Sequence, residues 1–464
     1  MIARAWRNES AFIALVGGAA ALTAVVYAAS AYALSPFALP ALAIGGAVAA
    51  AALARPAAGV AVALAVAPLE SASLPLPTGS LSPSEGLLAM VGVGYLVRLL
   101  YTPETVVKPS LRDLPFLALL AVALLGITFA SDPSPIFRVC LLWFLFYGVH
   151  LQAQSFSVAE MKTVIGALAI GAGLLGAVGT VRYLQSGNAV VFDAGAVTGA
   201  RAAGTFADPN YYGSLMQLAL IPGIALLLTR ARNWTLGVPL VLAFSGLVFS
   251  LSRGAALGFA MALLILLSWN RARWLAFVLI SVVVITTMLN VNPLIGSQQL
   301  TTVEQRLSSV TRAHESSTNN RPRIWAAAID ETEKHPFFGI GLNQFSEVAA
   351  RHGVTERGSP LENAHNVFLS LSVETGLIGL SLFVLFLAAV GLRAARAAAF
   401  LPDAALRGLA LGLLATLAGF LVQGLTANQL RDNLITGTFL VLSGMLVALG
   451  RVGGPVAEEV PAAD

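Results

Sequence analysis

Charge is the scarcest property of this sequence. Of 464 residues, 11% are Asp, Glu, Lys or Arg and 57% are hydrophobic, against roughly 25% charged in an ordinary globular domain. So little polar surface cannot cover so large an apolar interior, which excludes a soluble chain of two or three domains. Cysteine is nearly absent. Cys140 is alone, so no intrachain disulfide forms, and its place between Val139 and Phe146 reads as a small buried hydrophobe. None of the five histidines has a second histidine or a cysteine four positions away, so no zinc site is expected. The net charge of +4 comes without a basic cluster interleaved with aromatics, so no nucleic-acid partner is expected. No carboxylate cluster suggests bound Mg²⁺, there is no internal repeat, and only the Ala-rich first sixty residues approach low complexity.

What is abundant is the apolar run of about 20 residues that a bilayer span needs. Candidate spans are 11–34, 36–54, 57–69, 83–100, 114–130, 136–151, 162–184, 209–229, 234–250, 254–269, 274–290, 364–391, 406–424 and 434–450. The expected fold is therefore all-α: a polytopic transmembrane bundle of about 12–14 spans with one large extracytoplasmic helical loop. Arg4 and Arg7 precede an apolar stretch with no charged domain after it, so the first segment reads as a retained span. Pro68 makes 57–69 a possible re-entrant segment. Lys and Arg fall in alternate connections (Arg55; Arg98 with Lys108 and Arg112; Lys162; Arg230 with Arg232; Arg271 with Arg273; Arg393, Arg396 and Arg407; Arg451), except that the outer loops 185–208, with Arg201, and 291–363, with seven basic residues, break the pattern. That pattern predicts both termini inside. The chain divides into N-terminal spans (1–190), central spans with arginine-bearing outer loops (191–290), the extracytoplasmic loop (291–363), C-terminal spans (364–450) and a cytoplasmic tail (451–464). Within the loop, Thr302 to Ala313 reads as an amphipathic helix. Arg323 to Glu333 reads as a second, with Pro322 in its first turn, Trp325 and Ile329 on one face, and Pro336 ending it. Gly339, Gly341 and Asn343 mark a turn region.

Four polar groups stand out on the expected outer side, each with a plain structural reading beside the chemical one. Arg201 precedes Asp208-Pro209-Asn210, where Asp208 suits a helix cap and Pro209 the first turn; the plain reading is a capped helix with a solvated arginine. Arg253 lies between two apolar runs with almost no loop. An arginine near hydrocarbon depth costs about 2.5–3.5 kcal/mol, so it calls for an anionic partner or a wet cavity unless it snorkels. Arg321 and Arg323 sit at the wrong end of a helix dipole for stability, which a bound anion would offset; otherwise they are a solvated pair. His365-Asn366 stands where the chain re-enters the membrane, and an imidazole there suits a general base near neutral pH, although a lone histidine at a helix start is often structural. Glu374 and Glu85 lie in apolar runs, where carboxylates are functional candidates by default. Arginine forks suit a pyrophosphate, and without Mg²⁺ they must neutralise it alone.

Gly204-Thr-Phe-Ala-Asp-Pro-Asn210, Ser252-Arg-Gly254, Arg323 with Trp325, His335-Pro-Phe-Phe-Gly-Ile-Gly341, His365-Asn366 and Glu374-Thr-Gly-Leu-Ile-Gly379 occur in this order. As an ordered set over about 200–380 they resemble the O-antigen ligase and polymerase superfamily of bacterial membrane glycosyltransferases. Asp208 stands where that family often has Asn. The first 190 residues match only as generic spans, and the family usually has fewer spans than the fourteen counted here. The resemblance implies a GT-C-like, metal-independent, inverting enzyme without cofactor in the bacterial cytoplasmic (inner) membrane, its active site extracytoplasmic. The donor would be a glycan on polyprenyl (undecaprenyl) pyrophosphate, the acceptor a hydroxyl on a glycan or lipid, with membrane lipids around both. By the same resemblance His365 would be the base, Asn366 would orient it or the donor, and Arg201, Arg253 and Arg323 would hold the pyrophosphate, with Arg321 beside them. Asp208, Asn210 and Glu374 would support the site. Ligase is preferred to polymerase, with a protein-glycosylating relative a smaller alternative. A transporter or flippase is the competing class; it would need midplane polar residues and two-fold repeats, and would keep Arg253 and His365 apart. A scaffold would not need Arg253 where it is.

Overall fold

The computed structural model describes residues 53–76, 79–186, 191–193, 198–229, 234–268, 321–356 and 359–452. The expected spans 11–34 and 274–290, nearly all of 36–54, and the helix at Thr302 to Ala313 lie outside them. Among the described residues there are thirteen α-helices: α1 (Pro56–Ala65), α2 (Pro83–Tyr101), α3 (Leu114–Leu125), α4 (Ser134–Ala153), α5 (Val158–Ser186), α6 (Pro209–Leu228), α7 (Gly237–Ser250), α8 (Arg253–Ser268), α9 (Arg321–Lys334), α10 (Phe345–Arg351), α11 (Val367–Phe400), α12 (Ala404–Gly424) and α13 (Asn433–Val452). Three short two-stranded antiparallel ribbons are the only β pairing there: β1 (Leu74–Leu76) with β2 (Gly79–Leu81), β3 (Val191–Asp193) with β4 (Thr198–Ala200), and β5 (Thr355–Glu356) with β6 (Ser359–Pro360). The protein is an all-α polytopic membrane protein. Seven helices (α2, α4, α5, α6, α11, α12 and α13) are long and apolar enough to cross a membrane, and α1, α3, α7 and α8 are shorter apolar helices.

The helices start where their sequence grammar says. Ser82 and Glu85 form a capping box at α2, with Glu85 Oε2 accepting from Ser82 N at 2.8 Å and Ser82 Oγ from Glu85 N at 3.2 Å. Glu85 is thus accounted for by a helix start. Asp208 caps α6 by accepting from Asn210 N at 2.7 Å, with Pro209 next in the chain. Asp403 caps α12 through the N–H groups of Ala405 (2.7 Å) and Leu406 (3.0 Å).

Lipid tails supply no hydrophobic contrast between helices, so membrane helices associate through close packing. Helix α5 does this with glycines. A methyl group at Gly173 would stand 2.6 Å from the Pro239 carbonyl oxygen, and one at Gly171 or Gly176 would strike the carbonyls of Leu64 and Leu242. Small residues thereby let α5 lie against α1 and α7. Helix α8 packs on α12 and helix α13 on α4.

The connections α1–α2, α3–α4, α5–α6, α7–α8 and α12–α13 gather at one end of the bundle, with α9 and α10 over them. Gln344 Nε2 reaches Asp132 O at 2.9 Å and Arg182 Nη1 reaches Gly204 O at 2.9 Å. Helices α9 and α10 have their own small core, with Ile324, Ala327, Ala328, Phe345, Val348 and Ala349. The expected face of α9 is corrected here. Trp325 packs inward, but Ile329 is 49% exposed, and the buried face is Ile324, Ala327, Ala328 and Glu331. The stripe Ile324–Ala327–Ala328–Glu331 follows the helical period, which one long apolar side chain at position 329 obscured.

Candidate functional site

The ribbon β3–β4 delivers the chain to Arg201. Its Nε donates to Ser250 O at 2.8 Å and its Nη2 to Asn210 Oδ1 at 3.1 Å. Asn210 Oδ1 also accepts from Ser252 Oγ at 2.9 Å. One amide oxygen therefore ties the segment before α6 to the α7–α8 turn. That turn is sharp: Leu251 has φ 50° and ends α7. Ser252 Oγ accepts from Ala255 N at 3.3 Å and caps α8, which places Arg253 as its first residue.

Arg253 is exposed, and no described residue forms a hydrogen bond to its guanidinium. Burial, together with repulsion from Arg253 and Arg321, holds the Arg201 guanidinium down to about 10, against the pull of Asp208. Arg321 is lowered by burial and by Arg253. The three arginines therefore share one neighbourhood. Arg323 is exposed, two residues along α9.

His365 lies at the start of α11 with φ 48°. A left-handed backbone costs a non-glycine residue on the order of 1–2 kcal/mol, and several bonds hold this one. Asn363 Oδ1 accepts from His365 N at 2.8 Å, Ser370 Oγ from Ala364 N at 3.3 Å, and Ala364 O from Trp325 Nε1 at 3.1 Å. Asn366 is spent on structure: its Oδ1 accepts from Phe368 N (2.9 Å) and Leu369 N (3.1 Å), and its Nδ2 donates to Leu425 O (3.2 Å). It caps α11 and ties it to the α12–α13 connection.

That connection links the arginines to the histidine. Gly254 fits so closely against Thr426 that any Cβ there would strike Thr426 Oγ1. Gly254, next to Arg253 in the chain, thus packs on Thr426, and Asn366 is bonded to the adjacent Leu425. Arg321 begins the helix whose Trp325 holds the carbonyl before His365.

Glu374 lies in α11 just before a break. Gly376 has φ 68° and ψ −178°, a region essentially restricted to glycine. The segment after α9 seals the break: Ile340 N donates to Val373 O (2.9 Å), Gly341 N to Glu374 O (3.0 Å) and Leu377 N to Pro336 O (2.7 Å). Gly339, Gly341 and Asn343 all have positive φ, as a turn requires. The Glu374 carboxylate is buried, with the N–H groups of Asn343 and Phe345 facing it and Arg431 Nη1 at 3.9 Å from its Oε1.

Several residues escaped the sequence reading. Arg182, Gln423, Leu425, Thr426 and Arg431 all contribute contacts here; Gln423 Nε2 donates to Ser214 Oγ at 2.6 Å and to Asn210 O at 3.3 Å. For all but Leu425, the available signal was polarity at the ends of apolar runs. Asp330, Glu331 and His352 also come together, with ligand atoms within 4.8 Å of one another. Arg351 lies 2.6 Å from Glu331, Lys334 lies 2.5 Å from Asp330, and His335 lies 3.5 Å from Glu331. The carboxylates are compensated by cations, and the grouping reads as an ion-pair network.

A helical membrane protein with three neighbouring arginines, one of them opening the helix whose Trp325 bonds the carbonyl before His365, is the class that this architecture defines. Residues 238–384, from α7 through the first half of α11, match the Wzy_C family model, described as O-antigen ligase, which supports placement in the O-antigen ligase superfamily. The matched range holds Arg253, Arg321, Arg323, His365, Asn366 and Glu374, and leaves out Arg201, Asp208 and Asn210. No curated protein matches the chain.

Proposed function

We propose that this protein transfers a glycan from a polyprenyl pyrophosphate to an acceptor hydroxyl, at the extracytoplasmic face of the bacterial cytoplasmic membrane. The supporting observation is the shared neighbourhood of Arg201, Arg253 and Arg321 beside the segment that carries His365. The acceptor oxygen attacks the anomeric carbon and its proton passes to the His365 imidazole. The bond from that carbon to the pyrophosphate oxygen breaks with its electron pair, and the sugar inverts. Arg201, Arg253 and Arg321 offset the charge on the departing pyrophosphate, as fixed donors stabilise developing charge. Arg323 borders this cluster. Asp208, Asn210 and Asn366 keep the arginines and the imidazole in place.

A transporter would hold Arg253 apart from His365; against that reading, their chain neighbours Gly254 and Asn366 contact the adjacent residues Thr426 and Leu425. The description of the matched family favours ligase over polymerase. The test uses purified protein in nanodiscs with a polyprenyl-pyrophosphate glycan. A lipid A core acceptor should be glycosylated; elongation of a second lipid-linked glycan alone would identify a polymerase. No transfer to any acceptor, with vesicle translocation of the lipid-linked glycan instead, would overturn the enzyme reading.

A further inference from the structure

The stretch that carries His365 is bracketed by two carboxylates, Glu362 before it and Glu374 after it. One guanidinium faces both. Arg431, in the connection between α12 and α13, has Nη2 at 3.4 Å from Glu362 Oε2 and Nη1 at 3.9 Å from Glu374 Oε1. Its side chain is 17% exposed and that of Glu374 is 5% exposed. Among the described residues, neither buried Nη1 nor buried Glu374 Oε1 has a hydrogen-bond partner. Charge-assisted bonds of this kind close to about 2.7–2.9 Å, so the pair is near bonding range without being bonded. Buried polar atoms are almost always satisfied, and each exception calls for an explanation.

Arg431 is not a fourth anion site, because its surroundings are acidic. Glu362 and Glu374 flank it and Asp432 follows it in the chain. It does stand where it can govern His365. The α12–α13 connection already holds Asn366 through Leu425 O, and the left-handed backbone of His365 depends on the segments on both sides of it.

We propose that Arg431 is a positioning residue for His365: its fork spans Glu362 and Glu374 and draws together the two ends of the histidine-bearing segment when substrate occupies the pocket. The proposal rests on His365 acting as base. Hydrogen bonds in an empty site are often long and tighten in the loaded complex. An error of about 1 Å in placing a reacting group costs on the order of 100-fold in rate.

Four purified variants test it: Arg431→Gln, Arg431→Lys, Glu374→Gln/Arg431→Gln and Arg253→Gln. The double variant removes both members of the Arg431–Glu374 pair, so it separates positioning from loss of fold. Expected for Arg431→Gln is a fall in kcat of about 100-fold with donor KM unchanged, whereas Arg253→Gln raises donor KM. Arg431→Lys should recover only part of the loss, since one ammonium cannot span two carboxylates, and the double variant should stay slow. Full activity in the double variant would show that Arg431 only neutralises Glu374 and would overturn the proposal. A rise in donor KM for Arg431→Gln would overturn it too, by making Arg431 a donor contact. Failure of the underlying reading looks different: His365→Ala would keep its turnover, whatever the Arg431 variants do.

Discussion

The two ends of the bundle are built from the same polar residues and use them differently. At the end away from α9 and α10, arginine and histidine donors are spent on the chain. Arg98 bonds the carbonyls of Leu53 and Ala54 and Gln152 Oε1, and Arg451 bonds Gln154 Oε1 at 2.6 Å. His150 lies between Ser443 Oγ at 2.8 Å and Gln154 Nε2 at 3.0 Å, fully enclosed. At the other end Arg253 is exposed without a hydrogen bond to a described residue, and His365 is half-buried in a left-handed turn. One end fastens helices together; the other holds cations and an imidazole in costly positions. The contrast shows that a functional candidate is known less by residue type than by its place in the fold.

The largest break in this contrast should come from the two histidines. His365→Ala is expected to lower turnover roughly 10²–10⁴-fold, the range for losing a general base, with membrane insertion unchanged. His150→Ala strands buried partners and should cost about 1–3 kcal/mol of stability, leaving turnover per folded molecule intact. If the two phenotypes were exchanged in an activity and thermal-unfolding comparison, the division between the ends would be wrong.

Next in size is Arg253→Lys. Replacing a fork with a point charge should lose about 10–100-fold in kcat/KM for the donor, the equivalent of one hydrogen bond to a charged group. Equal activity with lysine would argue against recognition of a pyrophosphate at that position. Gly376→Ala tests the broken helix between the site and α10. A methyl group there would strike the Phe337 carbonyl, and the backbone region itself disfavours alanine. A loss of about 1–3 kcal/mol in stability is expected from the backbone strain alone, read as a lower unfolding temperature; an unchanged temperature would mean the break relaxes freely.

The smallest effect is pH-dependent. Burial, then the facing carboxylates of Glu85 and Asp208, raise the pKa of Asp432 above the usual carboxylate range. In the unfolded chain the same carboxyl titrates at about 4. Its ionisation therefore opposes folding by an amount that is absent below that pH and grows as pH rises toward the folded pKa. Asp432→Asn should raise the unfolding temperature at pH 8 and change little at pH 4. A larger gain at the acid end would reverse the sign and remove Asp432 from the set of strained groups.

Much of the architecture was legible in the chain. The apolar runs at 83–100, 136–151, 162–184, 209–229, 406–424 and 434–450 became the spanning helices α2, α4, α5, α6, α12 and α13, with boundaries moved by a few residues. Asp208 was readable as a cap because a short acceptor before proline has few other uses. Less legible were residues whose role needs a partner from another helix. Arg182 and Gln423 looked like ordinary polar residues near span ends, and Arg431 like part of a short loop. Asn366 suggested chemistry, yet all its hydrogen-bonding atoms are occupied by α11 and Leu425. Glu85 suggested function by its apolar surroundings and proved to be half of a capping box.

Local rules acting within one turn or one span therefore settled the class of this protein before any helix met another: apolar length and capping residues both work through near neighbours. Convergence was decided by packing alone. Arg201, Arg253 and Arg321 come from three separate stretches, and only the packing of the helices brings them into one neighbourhood. Sequence spacing carries no information about such contacts, because they depend on which helix faces pack and how closely small residues let them approach.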